Sequence, residues 1–399
     1  MRLVGIGALQ SIARWLELLA LGVYVFDLTR SAFAVAVVTL LKVAPLALFG
    51  PLFGVLAARL PPRRLHLSGL LVMLMLMLVG SLLASHAGLA LWQVWVISFA
   101  GGVFWVLDFP IRRTALGNSV PAGLLGRAMA VDTIANNGTR MLGPVAGGLL
   151  LQFAGLQGAF LIALLLYLVC LILTWRLDFP ATQDQHIPRS SVAGEMRIAF
   201  SVVQKNPVVL ATLLVTVMYN LFLFPMLSLI PVLGRDELVL SASAIGLLSS
   251  MEGAGALIGG LLLMRFGRVL HYRRTYLYGL AFSFFWGVVF ALAPQAVLVG
   301  TALLMVGVGT SFFAAMQTTL LIMNLPSHYH SQVLGLLSLA IGTGLIGFSQ
   351  IGVMASWLGT RPALWLSASL GLLSLMLIRW RWPEISASQP ARVKQYEPA

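Results

Sequence analysis

A few ionisable side chains stand inside stretches that are otherwise apolar, and these are the residues able to do chemistry. Gln10, Arg14, Glu17 and Tyr24 recur at helical spacing and form one polar stripe, while Asp132, Asn136 and Arg140 repeat every four residues on one face. Lys42, Asp108 and Glu252 lie in three further stretches, with Arg112 four residues beyond Asp108. In hydrocarbon each such charge costs about 2.5–3.5 kcal/mol at a helix centre, so it must face an interior and find a partner. A carboxylate withdrawn from water favours its protonated form, which is the property a proton carrier needs. Glu17 and Glu252 lead as carriers, followed by Asp132 and Asp108, with Arg14, Lys42, Arg140 and Arg112 as charge partners. A purely structural role stands beside this one: Arg14–Glu17 as an internal pair, and Asp108–Arg112 as a clasp at the membrane interface.

The elements that must position these residues are long and apolar. Hydrophobic residues make up 59% of the 399 and charged residues 9%, with a mean hydropathy of +0.96. A soluble domain carries about a quarter charged residues, so lipid must solvate this surface. At roughly 20 residues per crossing, twelve helical spans are expected: 3–26, 32–57, 65–85, 89–115, 127–153, 158–175, 208–233, 242–264, 275–293, 296–323, 331–357 and 363–378. Outer-membrane strands are about ten residues of alternating pattern, which these are not. The fold class expected is an all-α polytopic membrane protein, its twelve helices forming two six-helix bundles in parallel repeat. The domain plan is a bundle over 1–175, a linker over 176–207, a second bundle over 208–382 and a tail over 383–399.

Within the linker, Val192, Met196, Ala199, Phe200 and Val203 suggest a surface helix over 191–205, and the tail after Pro383 reads as disordered. The first span is too long for the apolar region of a cleaved signal and carries Arg14 and Glu17. The halves resemble each other at a nearly constant offset. Gly54 and Arg59 correspond to Gly260 and Arg265 at 206 residues, and Pro121 and Gly147 correspond to Pro326 and Gly352 at 205. Parallel repeats of this kind imply two bundles that rock about a central site. The formal charge of +13 concentrates in alternate turns, at Arg59, Arg63, Arg64, Arg112, Arg113, Arg265, Arg268, Arg273 and Arg274. That is the positive-inside distribution, which places both termini in the cytoplasm and makes the charge a matter of topology rather than nucleic-acid binding.

Several function classes fall away. None of the three lysines is followed by Ser or Thr, so no phosphate-binding loop can couple ATP directly. The six histidines lie in or beside loops, without the paired spacing of a metalloprotease, so no metal, cofactor or enzymatic activity is expected. The single cysteine, Cys170, leaves no disulfide framework and reads as a core residue.

The segment from Gly54 through Arg59 to Arg63 and Arg64 resembles the loop signature of the major facilitator superfamily, with Ala58 at the acidic position and Pro61 at the turn glycine. The second copy, from Gly260 through Arg265 to Arg268, has Met264 at the acidic position. In that family the acid latches one face through charge contacts, so its loss from both copies bears on the latch rather than the fold. Residues 11–15, 28–31, 126–130, 143–148, and Ala199-Phe200 with Asn206-Pro207-Val208 are similar to the enterobactin-exporter and macrolide-efflux branch, in which an acid is common where Arg14 stands. Gly143-Pro144-Val145-Ala146-Gly147-Gly148 resembles the family's antiporter motif. Proline frees a carbonyl and kinks the helix, and the glycines admit a close neighbour, so plain helix packing accounts for the run as well.

The resemblance implies a cavity lined by spans one, four, seven and ten. Its candidate lining is Gln10, Tyr24, Trp105, Asn136, Tyr219, Asn220, Gln317, Thr318 and Gln350, with Phe222, Phe312 and Phe313 as apolar faces. The function expected is proton-coupled export of an organic small molecule across the inner membrane. The cationic excess of Arg14, Lys42 and Arg140 points to an anionic or zwitterionic cargo such as a siderophore. An importer or lipid transporter on the same fold, and a non-transporting receptor or assembly partner, are the alternatives.

Overall fold

The structure, a computed structural model, describes residues 2–59, 61–86, 88–120, 125–177, 200–266, 271–325 and 329–387. Regular structure among them is entirely helical. The amino-terminal half comprises α1 (Arg2–Thr29), α2 (Ala32–Arg59), α3 (Pro62–His86), α4 (Leu91–Asn118) and the long helix Leu125–Trp175. That helix bends at Gly155, whose φ of 64° lies in the left-handed region that glycine alone enters freely. We label its limbs α5 (125–154) and α6 (156–175). The second half comprises α7 (Pro207–Glu237), α8 (Ala242–Phe266), α9 (Tyr272–Leu292), α10 (Ala296–Met323), α11 (His330–Gly342 continued by Gly344–Leu358) and α12 (Thr360–Arg381). Eleven of these helices are long and apolar enough to cross a membrane, with α5 and α6 running together as one. Twelve crossings result.

α7 is the irregular one. It begins conventionally: the Asn206 side chain accepts from the amides of Val208 and Val209, each at 3.2 Å, and Pro207 occupies the first turn, where its missing donor costs nothing. Pro225 and Pro231 then cannot donate to the ladder. The helix slips into a π turn over Tyr219–Leu223 and a 3-10 stretch over Phe224–Leu229 before resuming.

Helices in lipid associate by close backbone approach at small residues rather than by escape from water. In the first bundle α1 packs on α5, α2 on α4 and α3 on α6, and in the second α10 lies against both α8 and α9. The two most extensive contacts between the bundles are α5 with α8 and α2 with α11, and a shift of six helices exchanges one for the other. At the first, a methyl added to Gly148 would strike the Ala242 carbonyl and the Gly246 Cα; at the second, Gly352 lies against Ala36 and Phe33. Gly143 and Gly147 face the opposite way, against Trp15 and the Leu16 carbonyl of α1. The Gly-Pro-x-x-Gly-Gly run thus lets α5 lie between α1 and α8.

Residues 200–205 are helical, with Val203 buried; the rest of the expected surface helix, 191–199, lies outside the described residues, as do Pro121, Arg268 and Pro326. Beyond α12 the chain folds back. Pro383–Ile385 forms a 3-10 turn with Ile385 fully buried, and Arg273 and Arg274 donate to the carbonyls of Glu384 (3.2 Å) and Ser386 (3.1 Å). The tail expected to be disordered is therefore docked through residue 387, and 388–399 lie outside the described residues.

Candidate functional site

Between the bundles lies a cavity of about 940 Å³, open solvent at its mouth included. Its amino-terminal wall is Arg14, Trp15 and Leu18 of α1, Thr39 and Lys42 of α2, Trp105 of α4, and Arg140 and Pro144 of α5. The facing wall is Phe224, Leu227 and Ser228 of α7, Ser249 and Glu252 of α8, and Phe348 of α11. At the end carrying the α1–α2 and α7–α8 turns, Pro231 packs over Gly22 and Arg235 pairs with Asp27 at 2.8 Å, joining the bundles above the cavity.

Two acid–base pairs border this space. Lys42 Nζ lies 2.9 Å from Glu17 Oε2, and the Tyr167 hydroxyl donates to Glu17 Oε1 at 2.8 Å. Glu17 is thereby held by α2 and α6, and its side chain is 1% exposed. Arg140 Nη2 lies 2.6 Å from both oxygens of Glu252, and the Thr310 hydroxyl donates to Oε1 at 3.3 Å. Because Arg140 is on α5 and Glu252 on α8, this pair bridges the two bundles. Burial makes such pairs costly to break from one side, since the remaining charge stays desolvated.

Arg14 differs from both. Its Nη2 donates to Ser11 Oγ at 2.8 Å and to Asn136 Oδ1 at 3.4 Å, and its guanidinium carbon lies 4.6 Å from the Trp105 ring centroid and 5.7 Å from that of Trp15. It makes no ion pair with a described residue. The expected internal pair with Glu17 is absent, because Glu17 turns to Lys42 instead. With Lys42 and Arg140 both neutralised, Arg14 leaves the cavity one positive charge in excess. The indole faces lie against the guanidinium plane, as in cation–π contacts.

A second cluster lies within the first bundle. Asp108 Oδ1 is 3.1 Å from His66 Nε2, Asp108 Oδ2 is 3.6 Å from Arg112 Nε, and Arg112 also pairs with Asp132. Gln10 Nε2 lies 2.8 Å from His66 Nε2. The Asp108–Arg112 clasp is thus present, but as part of a network that includes His66. That histidine stands one turn into α3, beside the α2–α3 turn as expected, yet is wholly buried and stacked on Phe104 at 6.2 Å. Tyr167 was also missed; a tyrosine in an apolar run carries no signal until its partner is known.

The remaining sequence candidates separate by place. Trp105 lines the cavity, and Asn136 accepts from Ser11 Oγ (3.0 Å) beside it. Tyr24 does not reach the cavity: its hydroxyl donates to the Leu89 carbonyl (2.9 Å) and accepts from the Leu89 amide (2.8 Å), tying α1 to the turn before α4. Gln317 donates to Thr216 Oγ1 at 2.7 Å, in a network with Tyr276 between α7, α9 and α10. Asn220 is buried and donates to the Thr216 carbonyl, Tyr219 stacks on Phe224 and Phe313, Gln350 turns to Met354, and Thr318 is exposed. None of these five lines the cavity. The slipped register of α7 carries the inward face to Phe224, Leu227 and Ser228. Of the glycine positions, Gly54 and Arg59 are in the last turns of α2, and Gly260 and Arg265 near the end of α8, where a methyl on Gly260 would meet nothing within 4 Å.

The model of the Major Facilitator Superfamily matches residues 3–349. Macrolide efflux protein A of Streptococcus pyogenes is 25% identical over 335 residues, covering 81% of this chain and 82% of its own. That of Enterococcus faecalis is 25% identical over 319 residues, covering 77% and 97%. Similar solved structures include the nucleoside transporter NupG, with a TM-score of 0.71 at 14% identity, covering 95% of this chain and 98% of that one. An inward-facing bacterial homologue of the iron transporter ferroportin has a TM-score of 0.68 at 17% identity, covering 97% and 98%.

Proposed function

The chain belongs to the major facilitator superfamily, and from that premise we propose that it is a proton-coupled exporter of an anionic or zwitterionic organic molecule, residing in the inner membrane with both termini in the cytoplasm. The observation that carries this reading is the guanidinium of Arg14, which faces a cavity between the two bundles and has no carboxylate partner among the described residues. A cargo carboxylate or phenolate would complete it, and Trp105 and Trp15 would cover the cargo's flat face. Hydrogen bonds to charged groups are worth about 1.5–3 kcal/mol, and the aromatic walls add area.

Coupling follows from the two acid–base pairs. Protonating Glu17 releases Lys42, and protonating Glu252 releases Arg140 and loosens the α5–α8 contact, so proton occupancy alters both cavity charge and bundle packing. One charge crossing 100 mV supplies about 2.3 kcal/mol, roughly a fifty-fold gradient. The relatives at 25% identity are named for macrolide efflux; a cationic cargo of any kind would meet a cavity bordered by Glu17 and Glu252, both already paired.

The test is accumulation by everted vesicles containing the full-length chain, with 2,3-dihydroxybenzoate and erythromycin as probes and an imposed pH gradient. Gradient-dependent accumulation of the anion, abolished by Glu17→Gln or Glu252→Gln and weakened ten- to hundred-fold in affinity by Arg14→Gln, is expected. Accumulation of erythromycin alone would replace the cargo class. Uptake only into right-side-out vesicles would reverse the direction, and binding without flux would make the protein a receptor.

A further inference from the structure

A smaller chamber adjoins the main cavity on the side of the buried histidine cluster. It spans about 250 Å³ with adjoining open space included, leaves room for about one water, and shares Arg14, Lys42 and Trp105 with the main cavity while continuing between Gln10, Asp108 and Tyr167. Both groups that grip Glu17, Lys42 Nζ and the Tyr167 hydroxyl, belong to lining residues, and Asp108 at the other end touches His66. The chamber therefore has a carboxylate bonded to its wall at one end and a carboxylate–imidazole pair at the other.

Its walls suit water. Gln10 Oε1, Arg14 Nε and Asp108 Oδ1 are buried without a hydrogen-bond partner among the described residues, Asp108 Oδ1 having only its ionic contact with His66. A buried water is stable with two to four polar partners, and three orphaned ones surround this space.

His66 has the geometry of a group that changes its proton. Its Nε2 faces the Gln10 amide nitrogen, a donor, and the Asp108 carboxylate, an acceptor. Without a proton, Nε2 accepts from Gln10; with one, it donates to Asp108 while the Gln10 amide turns its oxygen inward. The charges facing it from every packed element are Asp108 and Arg112 of α4, Asp132 of α5 and Arg14 of α1, with Tyr167 and Cys170 on α6. Asp108 and Asp132 stand against Arg112 and Arg14, so the histidine sits among charges of both signs, with Asp108 the carboxylate in direct contact with it. Histidine is the side chain whose ordinary titration falls near neutrality. His66 also stands four residues into α3, about 6 Å from the helix start, whereas Glu17 is near the middle of α1.

We propose that this side chamber is a proton passage joining Glu17 to the His66–Asp108 pair, with His66 exchanging protons on the terminus-bearing side of the first bundle. The passage rests on the proton-coupled reading and supplies its route. Discharge to this side breaks the Glu17 Oε1–H bond: its proton moves to the Tyr167 oxygen as the Tyr167 proton passes through chamber water and Asp108 to His66 Nε2. One carboxylic acid becomes a carboxylate that pairs with Lys42 again, and one neutral imidazole becomes imidazolium. An acid jump in detergent drives the same steps in reverse.

The experiment needs no cargo. The full-length chain in weakly buffered detergent is given an acid jump from pH 8 to pH 6, and a pH-indicator dye follows proton uptake by stopped flow. Wild type should take up at least two protons per chain through this bundle. His66→Gln should take up one fewer and fill the remaining site at least ten-fold more slowly. Tyr167→Phe, which removes only a hydroxyl, should keep the proton count and slow the Glu17 phase at least ten-fold. Glu17→Gln should lose one proton and leave the His66 phase fast. If Glu17→Gln loses its proton but His66→Gln and Tyr167→Phe fill Glu17 at the wild-type rate, the passage is overturned while Glu17 stands as the carrier. If Glu17→Gln loses no proton, the carrier assignment falls and takes the passage with it.

Discussion

Replacing Glu252 with glutamine removes one half of the ion pair joining the bundles at α5 and α8. Arg140 Nη2 lies 2.6 Å from both carboxylate oxygens, and the side chains are 20% and 6% exposed. At an effective dielectric of about 20 the gross attraction at this distance is roughly 6 kcal/mol, most of it offset by desolvation. What a mutation exposes is the asymmetry: taking one partner from a buried pair costs about 3–5 kcal/mol, because the other charge is stranded. Glu252→Gln should fall at the lower end, since the amide keeps an acceptor for Arg140 and the Trp15 ring still lies 5.4 Å from the guanidinium. A guanidinium cannot shed its charge, so this penalty should be nearly constant with pH. Arg140→Gln differs, because a stranded carboxylate can neutralise by taking a proton. Its penalty should be small at acidic pH and grow as pH rises. The double variant should recover most of the loss, giving a coupling of at least 2 kcal/mol. Thermal unfolding of the purified chain, followed by tryptophan fluorescence from pH 5 to pH 9 for all four proteins, measures each term. Additive single losses, or an Arg140→Gln penalty independent of pH, would refute the bridging role of the pair.

Two further outcomes follow from placement. Tyr24→Phe should cost about 1–2 kcal/mol of thermal stability, from the two hydrogen bonds to the Leu89 backbone, and leave cargo affinity unchanged in a fluorescence titration; a loss of affinity would return Tyr24 to the cavity. Gly147→Ala, whose new methyl would lie 2.6 Å from the Leu16 carbonyl, should destabilise by about 1–3 kcal/mol, whereas Gly260→Ala meets open space in a helix and should stabilise by up to about 1 kcal/mol; thermal melts of both variants check the contrast.

What could be read from the order of residues was whatever lipid imposes on each residue separately. Spans of this length and apolarity must be helices, because hydrocarbon offers the backbone no other partner. Arg14, Glu17, Lys42, Arg140 and Glu252 could be singled out because a charge among apolar neighbours must turn inward, and four of the five do line the cavity, with Glu17 directly behind it. The two spans expected on either side of Gly155 are separated there, because the backbone leaves the helical region at that glycine.

Partners were a different matter. Arg14 and Glu17, three residues apart on α1, had the spacing of a helical pair, yet Lys42 of α2 and Tyr167 of α6 take the carboxylate. His66 looked like a loop neighbour because nothing at its own position shows that Asp108 and Gln10 arrive beside it from α4 and α1. On α7 the wall was misplaced because Tyr219 and Asn220 were picked for their polarity alone, and the π and 3-10 turns rotate every residue after Met218, bringing Phe224, Leu227 and Ser228 inward instead. Sequence by itself therefore determined which residues must leave the lipid, since that free energy belongs to each side chain and its own helix. Only the tertiary structure decided which of them meet, because an ion pair depends on where two separate helices come to rest against each other.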